Sequence, residues 1–186
     1  MRLGEGGTGR YSDSRQGGSL HTDAPHKPAP VPDCFALYCV HQAPVGGDLC
    51  LVSVSDLLKR LPAEALGQLR QDFHFDRRDE TADEPTVRRP VLEVDPAGPR
   101  MYYLREYIDI GHRHDHVPDL TEQQVTALDA LDALLDEPGL QQRLRLEPGE
   151  LIFINNRTLL HGRTAFEDAS GSGHKRLMLR TRIARD

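Results

Sequence analysis

The stretch Leu20-His21-Thr22-Asp23, read with Leu160-His161-Gly162-Arg163 far along the chain, decides how this sequence is understood. A histidine and a carboxylate two positions apart project to the same side of an extended segment, so both can turn toward one metal ion. His161 would complete a two-histidine, one-carboxylate face that leaves three coordination positions open. That arrangement suits non-haem Fe(II) in oxygen chemistry. By itself the His-x-Asp pattern is weak. With nine His and 29 acidic residues in the chain, it also arises as a polar pair at a strand end. Its weight depends on its surroundings.

At 186 residues the chain is one domain, long enough to bury a core. Thirteen Pro and sixteen Gly without Trp point to turns and short strands rather than a helical bundle. The net charge of −6 argues against general nucleic-acid binding, which needs a basic face. No apolar run is long enough to span a membrane, and the N-terminus has no secretory h-region. A small molecule is therefore the expected partner, and the cytoplasm the expected compartment. Cys34, Cys39 and Cys50 are odd in number and close together, which suits buried free thiols in a reducing cytosol. A zinc site on Cys34 and Cys39 would lack its second pair.

Residues 1–19, rich in Gly and Ser, read as a flexible leader, with a single domain over 20–186. A Pro-rich connector follows Asp23. Phe35 to Val40 is an apolar run of strand length, Pro44-Val45-Gly46-Gly47-Asp48 a turn, and Leu49 to Val54 the returning strand, which makes the two antiparallel neighbours. Ser55 caps a short helix that Pro62 ends, and Pro62 starts a second one through Leu69. Asp72 to Phe75 and Val91 to Val94 read as strands, residues 76–89 as irregular, and Arg100 to Tyr103 as extended.

The rival metal cluster is His112-Arg113-His114-Asp115-His116, whose histidines alternate. Its hydrophilic setting before Val117-Pro118 reads as a loop. Thr121 and Gln124 have capping-box spacing, and Val125, Leu128, Leu131, Leu134 and Leu135 follow at helical period, so a helix begins there with a leucine stripe toward the core. Leu151 to Asn156 reads as a strand that continues to His161. After a polar loop over 167–173, Lys175 to Ile183 alternates, with Arg176, Met178 and Arg180 on one face and Leu177, Leu179 and Thr181 on the other. Short strands, turns and one long helix suit a jelly roll with helices packed outside.

Taken together, His21-Thr22-Asp23, Gly46-Gly47-Asp48, Gly149-Glu150-Leu151, Asn155-Asn156-Arg157, His161-Gly162-Arg163-Thr164-Ala165-Phe166 and Arg176-Leu177-Met178-Leu179-Arg180 resemble the taurine dioxygenase and clavaminate synthase-like group of Fe(II)- and 2-oxoglutarate-dependent oxygenases. The resemblance covers about residues 18 to 184, and its specific part runs from Gly149 to Arg182. It implies a mainly β fold, a double-stranded β-helix with a few flanking helices. It also implies His21, Asp23 and His161 as iron ligands, with 2-oxoglutarate and O2 as cosubstrates. Arg176 matches the arginine that grips the distal carboxylate of 2-oxoglutarate, for which a guanidinium fork is suited. Arg180 falls on the same face nearby.

The implied reaction is oxidative decarboxylation of the cosubstrate to succinate and CO2, coupled to oxidation of a substrate C–H bond. With Asp23 present, the resemblance favours hydroxylation or desaturation over halogenation. The substrate expected is a small polar metabolite, such as an amino-acid derivative or natural-product intermediate, with Arg100, Tyr103 and Arg105 as candidate contacts. Two departures stand out. Leu49 occupies the place where the family commonly carries Thr or Ser. The metal motif also comes after only twenty residues, which leads to the expectation of an exposed edge or apolar patch covered by a homodimer or partner protein. The alternatives are a degenerate member serving as a binding or assembly module, and a cupin-like zinc enzyme built on His112 to His116.

Overall fold

The computed structural model describes residues 15–79, 81–168 and 175–183. In chain order the strands and helices are β1 (Gly18–His21), β2 (Cys34–His41), β3 (Val45–Gly46), β4 (Leu49–Ser53), α1 (Val54–Arg60), α2 (Ala63–Leu69), β5 (Asp72–Asp76), β6 (Thr86–Pro90), β7 (Leu92–Asp95), β8 (Gly98–Met101), α3 (Arg105–Gly111), α4 (Glu122–Leu135), β9 (Gln142–Leu144), β10 (Leu151–Asn155), β11 (Leu159–Arg163), β12 (Phe166–Glu167) and β13 (Leu177–Ile183). Residues 1–14 of the expected leader lie outside the described residues, as does most of the expected polar loop over 167–173. Strand β1 already begins at Gly18, inside the span read as leader.

Two sheets carry the fold. One has the order β1-β11-β4-β9, the other β10-β2-β13, and three two-stranded pieces (β12-β3, β5-β6, β7-β8) complete it. Strand alternation distributes the side chains. On β11, Leu160 joins the large core formed with Val52 of β4, Leu57 of α1, Leu69 of α2 and Leu128 and Leu131 of α4. The next residue, His161, turns the other way and meets the ring of Phe35 from β2 at 4.4 Å between centroids. Leu49, Phe35 and Ile154 make the smaller core that joins the two sheets.

The sequence reading needs correction at several points, among them the single strand read from Leu151 to His161, which is broken into β10 and β11 on different sheets. The first two strands are not neighbours: β2 pairs with β10 and β13, whereas β4 pairs with β11 and β9. Gly46 and Gly47, at φ +70° and +79°, turn the chain from one sheet to the other instead of closing a hairpin. Within the stretch read as irregular, Thr86–Pro90 is a strand, pairing with β5. Arg105–Gly111 is a helix that its mixed composition hid. It packs tightly on β5: a β-carbon at Gly111 would lie 2.1 Å from the His74 carbonyl oxygen. Helix α4 matches its reading, with a capping box at Thr121 and Gln124. The cap of α1 is Ser53, whose hydroxyl accepts from the Ser55 amide, rather than Ser55 itself.

One face of the three-stranded sheet is apolar and exposed. Leu151 and Leu179 flank Tyr38 in register, and Phe153 and Ile183 lie on the same face. This matches the expected apolar patch.

Candidate metal centre

His21 and His161 are directly opposed Cα partners where β1 pairs with β11, and their rings lie 4.5 Å apart. Asp23 follows in the loop after β1, which is held from both sides. The Asp23 amide donates to Asn156 Oδ1 at 2.6 Å, and Asn156 Nδ2 donates back to the Asp23 carbonyl at 3.0 Å. Thr22 exchanges two 2.9 Å bonds with the main chain of Tyr103, one through its amide and one through its hydroxyl. Thr22 and Asn156 are buried, so these bonds are shielded from water.

One ligand atom from each of His21, Asp23 and His161 lies within 4.8 Å of the others, the one group of this kind among the described residues. His21 Nδ1 donates to the Ser19 carbonyl at 2.8 Å, which leaves Nε2 with its lone pair. His161 is 5% exposed, and among the described residues neither of its ring nitrogens has a hydrogen-bond partner. Its Nε2 stands 3.7 Å from Asp23 Oδ1, too far for a hydrogen bond. Burial, reinforced by the charges of His21, Arg180 and Arg182, holds the His161 imidazole well below the usual histidine value. Burial lowers His21 as well, against the opposing Ser19 bond. Both rings are thus neutral at pH 7, the form that ligates metal. Leaving a buried polar group unsatisfied costs about 1–3 kcal/mol. A cation between these side chains would remove that cost, so the donor set fits a divalent metal of the iron type.

Arg180 lies at the centre, where its NH1 donates to Asp23 Oδ1 at 3.1 Å. Arg182, absent from the sequence reading, donates through Nε to Asp23 Oδ2 at 2.9 Å. The signal for it was available: two residues beyond Arg180 on a strand is the same face. Arg176 stands just before β13, donating to Gln42 Oε1 and to the Gly47 carbonyl, each at 3.2 Å. A β-carbon at Gly47 would sit 2.8 Å from Arg176 Nε, so glycine there leaves room for the guanidinium. Among the described residues Arg176 has no carboxylate ion pair, and burial lowers its pKa. A half-buried cation with neutral partners fits a carboxylate ligand. Leu49 offers no hydroxyl in this neighbourhood and packs with Phe35 and Ile154.

The three candidate substrate contacts have other engagements. Arg100 donates to Asp33 and to the Val31 carbonyl, each at 3.2 Å. The Tyr103 hydroxyl donates to Asp132 in a short bond, and Arg105 pairs with Asp109, Asp129 and Asp132. Tyr103 and Arg105 brace α3 and α4 against the body, and Arg100 ties the 31–33 loop to β8. The rival histidines do not converge. His112 Nδ1 donates to the Pro118 carbonyl while its Nε2 accepts from the His74 amide, and His114 pairs with Asp76. Cys34, Cys39 and Cys50 are free thiols.

Comparison with known proteins follows the same line. The family described as "Taurine catabolism dioxygenase TauD, TfdA family" matches residues 4–182. FR-33289 synthase of Streptomyces rubellomurinus is 29% identical over 154 residues, covering 80% of this chain and 43% of the relative. Gamma-butyrobetaine dioxygenase of a Pseudomonas species is 28% identical over 162 residues, covering 83% and 41%. Among solved structures, an asparagine oxygenase with Fe(II), 2S,3S-3-hydroxyasparagine and succinate superposes with a TM-score of 0.74 at 24% identity, over 92% of this chain and 51% of that one. The non-haem iron oxygenase OrfP with Fe gives 0.73 at 22%, over 94% and 53%. The chain thus spans about half the length of these structures and two fifths of these curated relatives. The structural likeness establishes the fold as that of this oxygenase group.

Proposed function

The chain belongs to the taurine catabolism dioxygenase TauD, TfdA family, and from that premise we propose that it acts as an Fe(II)- and 2-oxoglutarate-dependent oxygenase on a small polar metabolite. The observation that carries this reading is the buried His161, whose two unpartnered nitrogens face a convergent His21 and Asp23. In this reading His21, Asp23 and His161 hold the iron. Bound there with 2-oxoglutarate and O2, the metal supplies oxidative decarboxylation to succinate and CO2 coupled to oxidation of a C–H bond.

The chain's own residues do the positioning. The Ser19 carbonyl fixes the His21 tautomer, and Asn156 and Tyr103 hold the loop on either side of Thr22 and Asp23. Arg176 receives the distal carboxylate of 2-oxoglutarate through its guanidinium fork. Arg180 and Arg182 each pair with the Asp23 carboxylate, at 3.1 and 2.9 Å. Phe35 and the inter-sheet apolar residues keep water from the histidine rings. Hydroxylated asparagine and (3S)-hydroxy-L-Arg occupy the structural neighbours, which supports an amino-acid derivative as substrate and hydroxylation as the outcome.

The same proposal keeps one double-stranded β-helix domain over 20–186, extended at its start to take in β1 from Gly18, and a second copy or partner protein over the apolar outer face. The three free thiols support a reducing, cytoplasmic setting. Among the described residues no helix is long and apolar enough to cross a membrane.

The deciding experiment is succinate release from 2-oxoglutarate by the iron-loaded protein, with free and derivatised amino acids as substrates. Substrate-stimulated succinate is expected. If the loaded protein makes none, even by slow uncoupled turnover, the assignment as an enzyme falls and a binding role takes its place.

A further inference from the structure

A second polar site lies apart from the metal centre. The loop over residues 29–33, strand β6, the β7-β8 hairpin and Arg157 enclose an open cavity of about 420 Å³. Its wall carries Arg88, Arg89, Arg100 and Arg157 against two carboxylates, Asp33 and Glu93. Those carboxylates are already engaged. Asp33 serves Arg100 at 3.2 Å and Arg157 at 3.7 Å, and Glu93 accepts from the Tyr102 hydroxyl at 3.2 Å. Arg157 also pairs with Asp95, and Arg88 with Asp72.

Among the described residues, one cation lacks a carboxylate, and a second has one N–H left over. Arg89 donates to the Lys27 carbonyl at 2.8 Å but, among the described residues, has no carboxylate ion pair. Arg100 is 8% exposed, and among the described residues its buried Nε–H has no acceptor. Both guanidinium carbons lie 4.7 Å from the Tyr102 ring centre, so two like charges are held on one aromatic platform. Burial, then the charge of Arg100, lowers the Arg89 pKa. A partly buried guanidinium without a carboxylate, sharing an aromatic ring with a second guanidinium, is stabilised by an anion.

We propose that this cavity binds a compact oxyanion, the carboxylate or phosphate group of a small molecule, with Arg89 and Arg100 as its principal donors and Tyr102 as the platform between them. The site is independent of the iron assignment. It touches the support of the metal loop through the Pro32 carbonyl, which accepts from both Arg100 and Asn156, and through the Asp33 carbonyl, which accepts from the Asn156 amide.

The test is calorimetric titration of the full, metal-free chain with inorganic phosphate and, separately, with malonate, at ionic strength held constant with chloride. One saturable site is expected for at least one of them. Phosphate alone assigns the site to phosphate esters, malonate alone to carboxylates, and both to the shared oxyanion chemistry. Arg89→Met should weaken binding about tenfold or more, the worth of one charge-assisted hydrogen bond. Arg89→Lys keeps the charge and loses the fork, so it should weaken binding by a smaller factor and stands in if the methionine variant does not fold. Arg60→Met, which removes a surface cation paired with Glu137, should change nothing. No saturable binding of either anion, or equal losses in the Arg60 and Arg89 variants, would overturn the proposal.

Discussion

Histidines gather twice in this protein, and the two groups are built to opposite rules. Around His112 the ring nitrogens are committed: one donates to the Pro118 carbonyl and the other accepts from the His74 amide, while His114 rests on Asp76. Around His161 the ring is equally buried, yet among the described residues both nitrogens lack a partner, and His21 and Asp23 converge on it. Buried polar groups are nearly always satisfied. The first group therefore joins α3 to β5 with its bonds satisfied, whereas the second has the unmet bonds that the proposed metal would fill. Burial alone does not distinguish them; the hydrogen-bond inventory does.

The largest expected effect tests that contrast directly. His161→Ala should reduce Fe(II) or Co(II) affinity by more than about a hundredfold, beyond the 10–100-fold typical of residues that only support a ligand. His112→Ala should leave affinity unchanged and instead cost about 1–3 kcal/mol of stability in urea titration. Metal titration of both variants checks this, and loss of metal only in His112→Ala would invert the assignment. Next, Arg176→Ala should weaken 2-oxoglutarate binding by about tenfold or more while iron stays bound. Unchanged cosubstrate affinity in calorimetry would remove Arg176 from the site.

A pH series sharpens the comparison further. His161 and His21 are held below 6.5 chiefly by burial, and His74 in the other group is lowered by burial and then by His112. Their folded values lie below the unfolded one, so in the falling-pH window the unfolded chain binds protons that the folded one refuses. Stability of the metal-free protein should therefore be fully present above about pH 6.5 and decline below it, toward the folded values. His161→Gln should flatten that decline more than His74→Gln, because His161 is the more deeply buried. Equal slopes in urea melts from pH 7.5 to 5 would contradict it. The smallest effect belongs to Arg182→Ala. Its half-exposed side chain removes one of two cations from Asp23, so metal affinity should rise by a few-fold at most, roughly within the range of a screened ion pair. A large loss of affinity would instead make Arg182 a positioning group.

Much of the fold was legible residue by residue. The capping pair Thr121 and Gln124 and the leucines behind it define α4, because helix periodicity is a local property. Strands β2, β10 and β13 read as apolar or alternating runs for the same reason, whereas β11 reads as the continuation of β10, because the turn at 156–158 that carries the chain to the other sheet has no Gly or Pro in its sequence. Arg105–Gly111 escaped because its sequence, Arg-Glu-Tyr-Ile-Asp-Ile-Gly, offers too short an apolar stripe to show a period. Thr86–Pro90 escaped because a strand rich in Arg is stabilised by its partner, β5, rather than by its own composition.

The sequence by itself determined which residues could be ligands: His21 and Asp23 two apart, His161 distant, and arginines on the alternate positions of the last strand. Those are facts of spacing, and spacing along a strand fixes the face. Only the tertiary structure decided which histidines are left unsatisfied, that β2 and β4 belong to different sheets, and that Arg100, Tyr103 and Arg105 are engaged in bracing contacts. Each of these depends on partners far away in the chain (Asn156 for Asp23, Asp132 for Tyr103, β13 for β2), and such pairings are set by packing and hydrogen-bond satisfaction across the whole fold rather than by any local pattern.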